Sequence, residues 1–126
     1  MTVAISSTNF YRRKLVRGLI SLSRKLDMKV LKRVAQELAK PRRRRVAVNV
    51  SKLNRYASES EIAIVPGKVL SSGALKKKLT VIAESFSTRA FEKIKSAGGR
   101  PILLSELLEN ESLQEELKSK PKRLIK

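Results

Sequence analysis

Apolar positions in the first third of the chain recur at the period of a helix. The first stripe is built from leucines at spacings of four, three and four, namely Leu15, Leu19, Leu22 and Leu26. A second stripe follows and ends before Pro41, with members Leu31, Val34, Ala35 and Leu38. Asp27 stands between the stripes and is predicted to be the N-cap of the second helix. The pattern therefore predicts two amphipathic helices joined by a short turn.

The rest of the chain changes between strand patterns and helix patterns. Strands are predicted at 46–50, 62–65, 68–70, 79–86 and 101–104, and residues 122–126 fit either an edge strand or a solvated tail. Pro66-Gly67 is predicted to be a turn, with Gly67 at positive φ. This alternation indicates an α/β fold. We expect one domain, in which a basic, helical N-terminal arm (1–45) precedes a compact α/β body (46–126).

The later helices are predicted from their ends. Ser87 is a candidate N-cap for a helix whose inner face is Ala90, Phe91, Ile94 and Ala97, and Gly98-Gly99 ends that helix. Ser105 can open the next helix. A further helix is predicted where Ser112 and Glu115 have the spacing of a capping box.

The charge is strongly positive and unevenly distributed. The 126 residues include 29 Lys and Arg against 11 Asp and Glu, a formal net charge of +18. Residues 1–45 hold 14 of the cations and 2 of the acids, a net +12, whereas 46–86 and 87–126 each carry a net +3. A charge of this size is typical of nucleic-acid-binding proteins, and the arm is expected to be the main electrostatic contact.

Four consecutive arginines, Arg42, Arg43, Arg44 and Arg45, follow Pro41 and lead into the first strand pattern. Adjacent guanidiniums repel one another unless an anion neutralises them, and their planar donor forks fit phosphate. We predict that Arg42 and Arg43 bind phosphates. Either Arg44 or Arg45 could instead face solvent, because neighbouring side chains of a strand alternate.

Other cations are predicted to contact RNA as well. The predicted RNA-binding set outside the arginine run is Arg12, Arg13, Arg17, Arg24, Lys25, Lys52, Asn54, Arg55, Lys68, Lys76, Lys77 and Lys78. Asn54 could equally be a local cap or turn residue, and the lysines 76–78 could be solvated charges at a sheet edge. Tyr11 and Tyr56 could stack on a base, while Phe86 and Phe91 are expected in the core. The acidic residues 106–116 are expected to form a solvated helix face or a protein contact.

Several function classes are disfavoured by what the composition lacks. The chain has no Cys and no His, so zinc fingers, thiol nucleophiles and histidine bases are excluded. The first 58 residues supply only Asp27 and Glu37 as acids, which makes a metal-dependent nucleic-acid enzyme a weak hypothesis. We expect no enzyme activity, cofactor, metal, small-molecule substrate or membrane association, and a cytoplasmic location. A helix-turn-helix DNA-binding protein, with residues 28–40 as the reading helix, remains the alternative.

Five short strings resemble one family in order and spacing. They are Pro41-Arg42-Arg43, the run 48–56, the run 65–70, Lys78-Leu79-Thr80-Val81 with Ser85-Phe86-Ser87, and Glu92-Lys93-Ile94 leading to Ala97-Gly98-Gly99. The sequence resembles the archaeal large-subunit ribosomal protein family eighteen-e, which is related in fold to large-subunit protein fifteen. The resemblance implies an irregular layered superhelix of short strands and helices. It also implies a structural, RNA-binding component of the large ribosomal subunit, with ribosomal RNA and neighbouring ribosomal proteins as partners.

Overall fold

Helices cover both faces of one parallel sheet in this computed structural model, which describes residues 10–40 and 46–126. The helices of the described part are α1 (Phe10–Leu26), α2 (Lys29–Leu38), α3 (Val50–Tyr56), α4 (Thr88–Ser96), α5 (Leu104–Glu109) and α6 (Glu111–Ser119). The strands are β1 (Val46–Asn49), β2 (Ile62–Leu70), β3 (Thr80–Phe86), β4 (Arg100–Leu103) and β5 (Lys122–Leu124). The predicted α/β class is confirmed.

The sheet has the strand order β1-β2-β3-β4, and β5 also pairs with β2. The first residues of β2, 62–64, pair with β5, and its last residues, 67–70, pair with β1. Strands β5 and β1 therefore follow one another along the same side of β2, while β3 occupies its other side. Residues 122–124 thus form a strand, the first of the two structures that their sequence allowed.

The predicted turn at Pro66-Gly67 is wrong. Strand β2 continues through both residues, and its register with β3 shifts between Val65 and Lys68. Gly67 does not have positive φ, since among the described glycines only Gly73 and Gly98 do. A Cβ atom on Gly67 would instead lie 2.0 Å from the carbonyl oxygen of Val46. The pair is a bulge at the point where β2 changes partner, a position that tolerates a proline without an N–H.

Side chains of the sheet alternate between two hydrophobic clusters. Ile62, Ile64 and Ile82 pack with α1, α2, α5 and α6, whereas Ala63, Val65 and Val81 pack with α3 and α4. The layers are therefore helix, sheet and helix, and the leucine stripes of α1 and α2 are buried on the sheet. The proposed boundary between arm and body at residue 45 stays a prediction, because residues 41–45 lie outside the described part.

Asp27 ends the first helix and does not cap the second, so the predicted N-cap is wrong. Its φ is 53°, the left-handed conformation that Asp tolerates better than most residues. The N–H of Met28 donates to the carbonyl of Ser23 at 3.0 Å, which closes the last turn of α1 as in a Schellman motif. Met28 is the N-cap residue of α2 and contributes no side-chain hydrogen bond.

The ends of the later helices follow the predictions in part. The predicted cap at Ser87 is confirmed, since its hydroxyl accepts the Ala90 N–H at 3.2 Å. The predicted capping box of α6 is wrong, because Asn110 caps that helix by accepting the N–H groups of Ser112 and Leu113. Phe91 was expected in the core but is 42% exposed, and its ring meets that of Phe86 edge-on at 6.4 Å. None of the described helices has the length and apolar character to cross a membrane.

Candidate nucleic-acid interface

The outer face of α1 is a cationic surface. Burial of the leucine stripe against the sheet turns the intervening positions outward, because residues three and four apart share one helix face. The exposed cations of this face, called the α1 surface below, are Arg13, Lys14, Arg17, Arg24 and Lys25. Four of them were predicted to bind RNA, and Lys14 is an addition.

Most of the α1 surface is not neutralised by the protein itself. Arg13, Lys14, Arg17 and Lys25 make no ion pair with any residue that the structure describes. The first turn of the helix contains no acidic residue either. Exposed like charges on adjacent turns repel, so this face favours an anionic partner.

Arg12 departs from the predicted set because it points into the protein. It is only 6% exposed, and its Nη1 donates to the carbonyl oxygen of Leu38 at 2.8 Å while its Nη2 donates to Glu84 Oε1 at 2.6 Å. The ion pair joins α1 to β3, and the carbonyl bond joins it to the end of α2. A helical projection would have placed Arg12 on the apolar face, three residues before Leu15.

Helix α2 adds cations that sequence reasoning missed. Lys29 and Arg33 are exposed four residues apart, and Lys32 is partly exposed beside them. They lie opposite the buried stripe of α2, so the same helical period that identified the core also identifies them. The cationic surface of this layer thus extends beyond α1.

A second cationic surface lies on the other side of the sheet. Its exposed members, called the α3 surface below, are Lys52, Arg55, Lys76 and Lys78. The amide oxygen of Asn54 accepts the N–H of Lys76 at 3.0 Å, and Lys77 Nζ donates to the carbonyl of Ala57 at 2.9 Å. These bonds bring the loop lysines next to α3.

Two predicted contact residues of this region therefore serve the fold. Asn54 holds the loop through its side-chain oxygen, and Lys77 is half-buried by its bond to α3. Lys68 is exposed on β2 next to Val69, whose side chain faces α3 and α4, so Lys68 points to the opposite face. Arg42 to Arg45 lie outside the described residues.

The acidic residues are gathered on α5 and α6. Glu106, Glu109, Glu111 and Glu115 are exposed there. Glu116 binds Arg100 Nη1 at 2.8 Å and Lys120 Nζ at 3.1 Å, and the hydrogen bond from Arg100 lowers its pKa. Across the described chain, no group of three or more acidic side chains is placed to hold a metal ion.

Glu37 links two cations from distant parts of the chain. The carboxylate, on α2, accepts from Lys40 Nζ at 2.9 Å and from Lys126 Nζ at 2.8 Å. Burial by itself raises the pKa of Glu37, but the two lysine hydrogen bonds outweigh it, so the pKa lies below its ordinary value. Glu37 therefore ties the end of α2 to the segment after β5.

Glu37→Gln is expected to flatten the acid dependence of stability. A carboxyl group whose pKa falls on folding contributes stability above its unfolded pKa, and that contribution is lost as pH decreases through the folded pKa. The variant should be less stable than the parent at neutral pH, and the difference should shrink between about pH 5 and pH 3. Urea unfolding across this range measures it. Glu115→Gln, at an exposed glutamate without an ion pair in the described residues, is the control, and an equal effect of both would contradict the prediction.

Comparison with known proteins identifies relatives over most of the chain. Residues 13–102 match the model of a family described as ribosomal proteins 50S-L15, 50S-L18e and their 60S counterpart. "Large ribosomal subunit protein eL18" of Sulfolobus acidocaldarius is 42% identical over 95% of this chain and 96% of its own. The proteins of the same name from Methanococcus maripaludis and Archaeoglobus fulgidus are 45% and 49% identical, over 82% and 75% of this chain and 87% and 80% of theirs.

Proposed function

This chain belongs to the eL18 family of large ribosomal subunit proteins, and we propose that it stabilises folded ribosomal RNA by neutralising phosphates on two separate surfaces. Membership makes it a structural, non-enzymatic constituent of the large subunit of the cytoplasmic ribosome, as in its archaeal relatives. The contact with RNA, and the residues that make it, are the proposed part.

The observation that carries the proposal is the α1 surface. Its cations are held on a helix whose other face is fixed in the core, so their positions are set before any partner arrives. A preorganised row of cations loses less conformational entropy on binding than a flexible basic tail would. Most of these cations have no acidic partner within the described residues, which leaves them available for phosphate.

The position of the α3 surface explains how such a protein could stabilise tertiary structure. The α1 and α3 surfaces lie on opposite faces of the sheet, so a single RNA helix would not contact both. Two segments of RNA, one at each surface, would be held apart by a rigid protein layer that neutralises both. A-form RNA hides its base edges in a deep, narrow groove, so backbone phosphates and 2′-hydroxyls are the groups that these surfaces would meet.

DNA reading by a helix-turn-helix, the alternative considered from the sequence, finds no support. The relatives are ribosomal proteins, and the family match covers both helices from residue 13 onward. The apolar faces of α1 and α2 are explained by their packing against each other and the sheet. The arrangement therefore requires no groove-reading role for α2.

Removal of the first two arginines of the run is expected to reduce the salt dependence of RNA binding. Each phosphate contact contributes roughly 0.7 to 0.9 to the slope of log K against log salt, so Arg42→Ala with Arg43→Ala should lower the slope by about 1.5. Binding to deproteinised large-subunit RNA with Mg²⁺, measured by filter retention over a series of salt concentrations, gives this slope. Lys118→Ala with Lys120→Ala removes the same charge beside the acidic helices and should leave the slope unchanged.

Two results would contradict the proposal. Equal slopes for the arginine variant and the parent would mean that residues 42 and 43 make no phosphate contact. Displacement of the ribosomal RNA by a duplex DNA of one particular sequence, at moderate salt, would reject RNA binding as the function. Phosphate contacts position a protein without reading sequence, so no such selective DNA is expected.

A further inference from the structure

Tyr56 is an exposed aromatic residue at the C-terminal end of α3. Its side chain is 52% exposed, although the hydrophobic effect favours burial of a ring of this size. The guanidinium of Arg55 lies 5.9 Å from the ring centroid, a cation–π distance. The ring is therefore presented to solvent beside a cation.

A cavity of about 390 Å³ opens next to this ring. Its lining residues come from α3 and from the segment of β5 and its continuation: Lys52, Tyr56, Arg123, Leu124, Ile125 and Lys126. Small-ligand sites begin at about 300 Å³, so the space suits one compact group. Arg55 does not line the cavity, so part of the Tyr56 surface is left open to a ligand.

The cations around the cavity are held in place by the protein. Arg123 Nε donates to Glu61 Oε1 at 2.7 Å, and Lys126 Nζ donates to Glu37 at 2.8 Å. In both pairs the acid is mostly buried and the cation is about half exposed, with side-chain exposures of 13% and 10% against 53% and 52%. The acids therefore anchor these cations from below and leave them facing solvent.

Two groups on the cavity wall fit a phosphate. The bond to Glu61 uses only Nε of Arg123, and the two terminal nitrogens of a guanidinium form a donor fork that matches phosphate oxygens. Lys52 Nζ reaches across the cavity to the main-chain oxygen of Lys126 at 2.6 Å, which fixes the ammonium with further N–H donors. A flat ring and two positioned cations thus border one space.

We propose that this cavity binds a single unstacked nucleotide of RNA, with the base on the Tyr56 ring and the phosphate at Arg123 and Lys52. The inference rests on the proposed function and specifies a site within it. Every base offers a flat face to an aromatic ring, whereas an acidic peptide would use the cations and leave the ring idle. Bases within an A-form helix are stacked and inaccessible, so the nucleotide must come from a loop, a bulge or a strand end.

The test separates stacking from charge with matched variants of the full chain. The probe is deproteinised large-subunit RNA with Mg²⁺, and both affinity and salt slope are measured. Tyr56→Leu should weaken binding by about 5- to 150-fold, the range for loss of one base–aromatic stack, with an unchanged salt slope. Arg123→Ala should lower the salt slope by about 0.7 to 0.9. Tyr56→Phe keeps the ring and should bind as the parent does.

Phe91→Leu is the control, because it removes the other large exposed ring of the described residues. It should leave RNA affinity unchanged, and circular dichroism should show every variant folded, since both rings are exposed. Parent-like affinity of Tyr56→Leu would overturn the inference while leaving the proposed function intact. The same affinity combined with loss of co-sedimentation with the large subunit would assign the cavity to a protein partner and overturn it too. Failure of the parent to bind the RNA would overturn both.

Discussion

Arg12→Ala is expected to destabilise the fold by about 3 to 5 kcal/mol, the cost of breaking a buried ion pair by removing one partner. The side chains of Arg12 and Glu84 are 7% and 17% exposed, so the carboxylate left behind would be largely shielded from water. The carbonyl of Leu38 would also lose its hydrogen bond from Arg12. Urea unfolding followed by circular dichroism measures the free energy.

Arg13→Ala is the matched control, one position along the same helix. Arg13 is exposed and has no ion-pair partner in the described residues, so its loss should change stability by less than about 0.5 kcal/mol. RNA binding should show the opposite order, because the proposed contact uses Arg13 and leaves Arg12 inside the protein. A similar loss of stability for both variants would mean that the Arg12 pair has no special role.

Gly67→Ala is expected to cost about 3 kcal/mol, the upper end of the penalties for overpacking. The added Cβ would lie 2.0 Å from the carbonyl oxygen of Val46, an atom of the backbone of β1. Neither strand can yield without disturbing the β1–β2 pairing, in which Val46 stands opposite Gly67. The midpoint of urea unfolding should fall, and amide exchange should become faster along β1.

Gly18→Ala in α1 is the matched control for this substitution. Its added Cβ would meet Leu108 Cδ1 at 2.7 Å, the end of a flexible side chain that can rotate away. Replacement of glycine by alanine inside a helix also gains up to about 1 kcal/mol in helix propensity. We expect little net change for this variant. Equal destabilisation at both glycines would argue against the backbone approach at Gly67.

The proposed RNA contacts depend on these structural features. Arg12 fixes the orientation of α1 on the sheet, and with it the positions of the α1 surface. Gly67 allows β1 to pair with β2, and α3 follows directly from β1. A loss of RNA affinity in Arg12→Ala would therefore reflect a misplaced surface, which the stability measurement would reveal.

Features set by neighbouring residues could be predicted from the sequence. The leucine stripes, the strand alternation around β3 and the cap at Ser87 all depend on contacts within a few positions, so their local pattern is sufficient. The excess of cations likewise needs no fold to be recognised. Together with the short strings shared with its family, these features determined the α/β class and the ribosomal role.

Only the tertiary structure decided which cations face the solvent and which residues meet. Arg12 and Arg13 are equivalent in charge, but Glu84, which holds Arg12 inside, lies 72 positions away. Pro66-Gly67 has the composition of a turn, yet strands far along the chain pair on both sides of it. The cavity at Tyr56 likewise joins residues about 70 positions apart, since Lys52 reaches Lys126. Pairings at such separations depend on how the layers pack, and no local pattern records them.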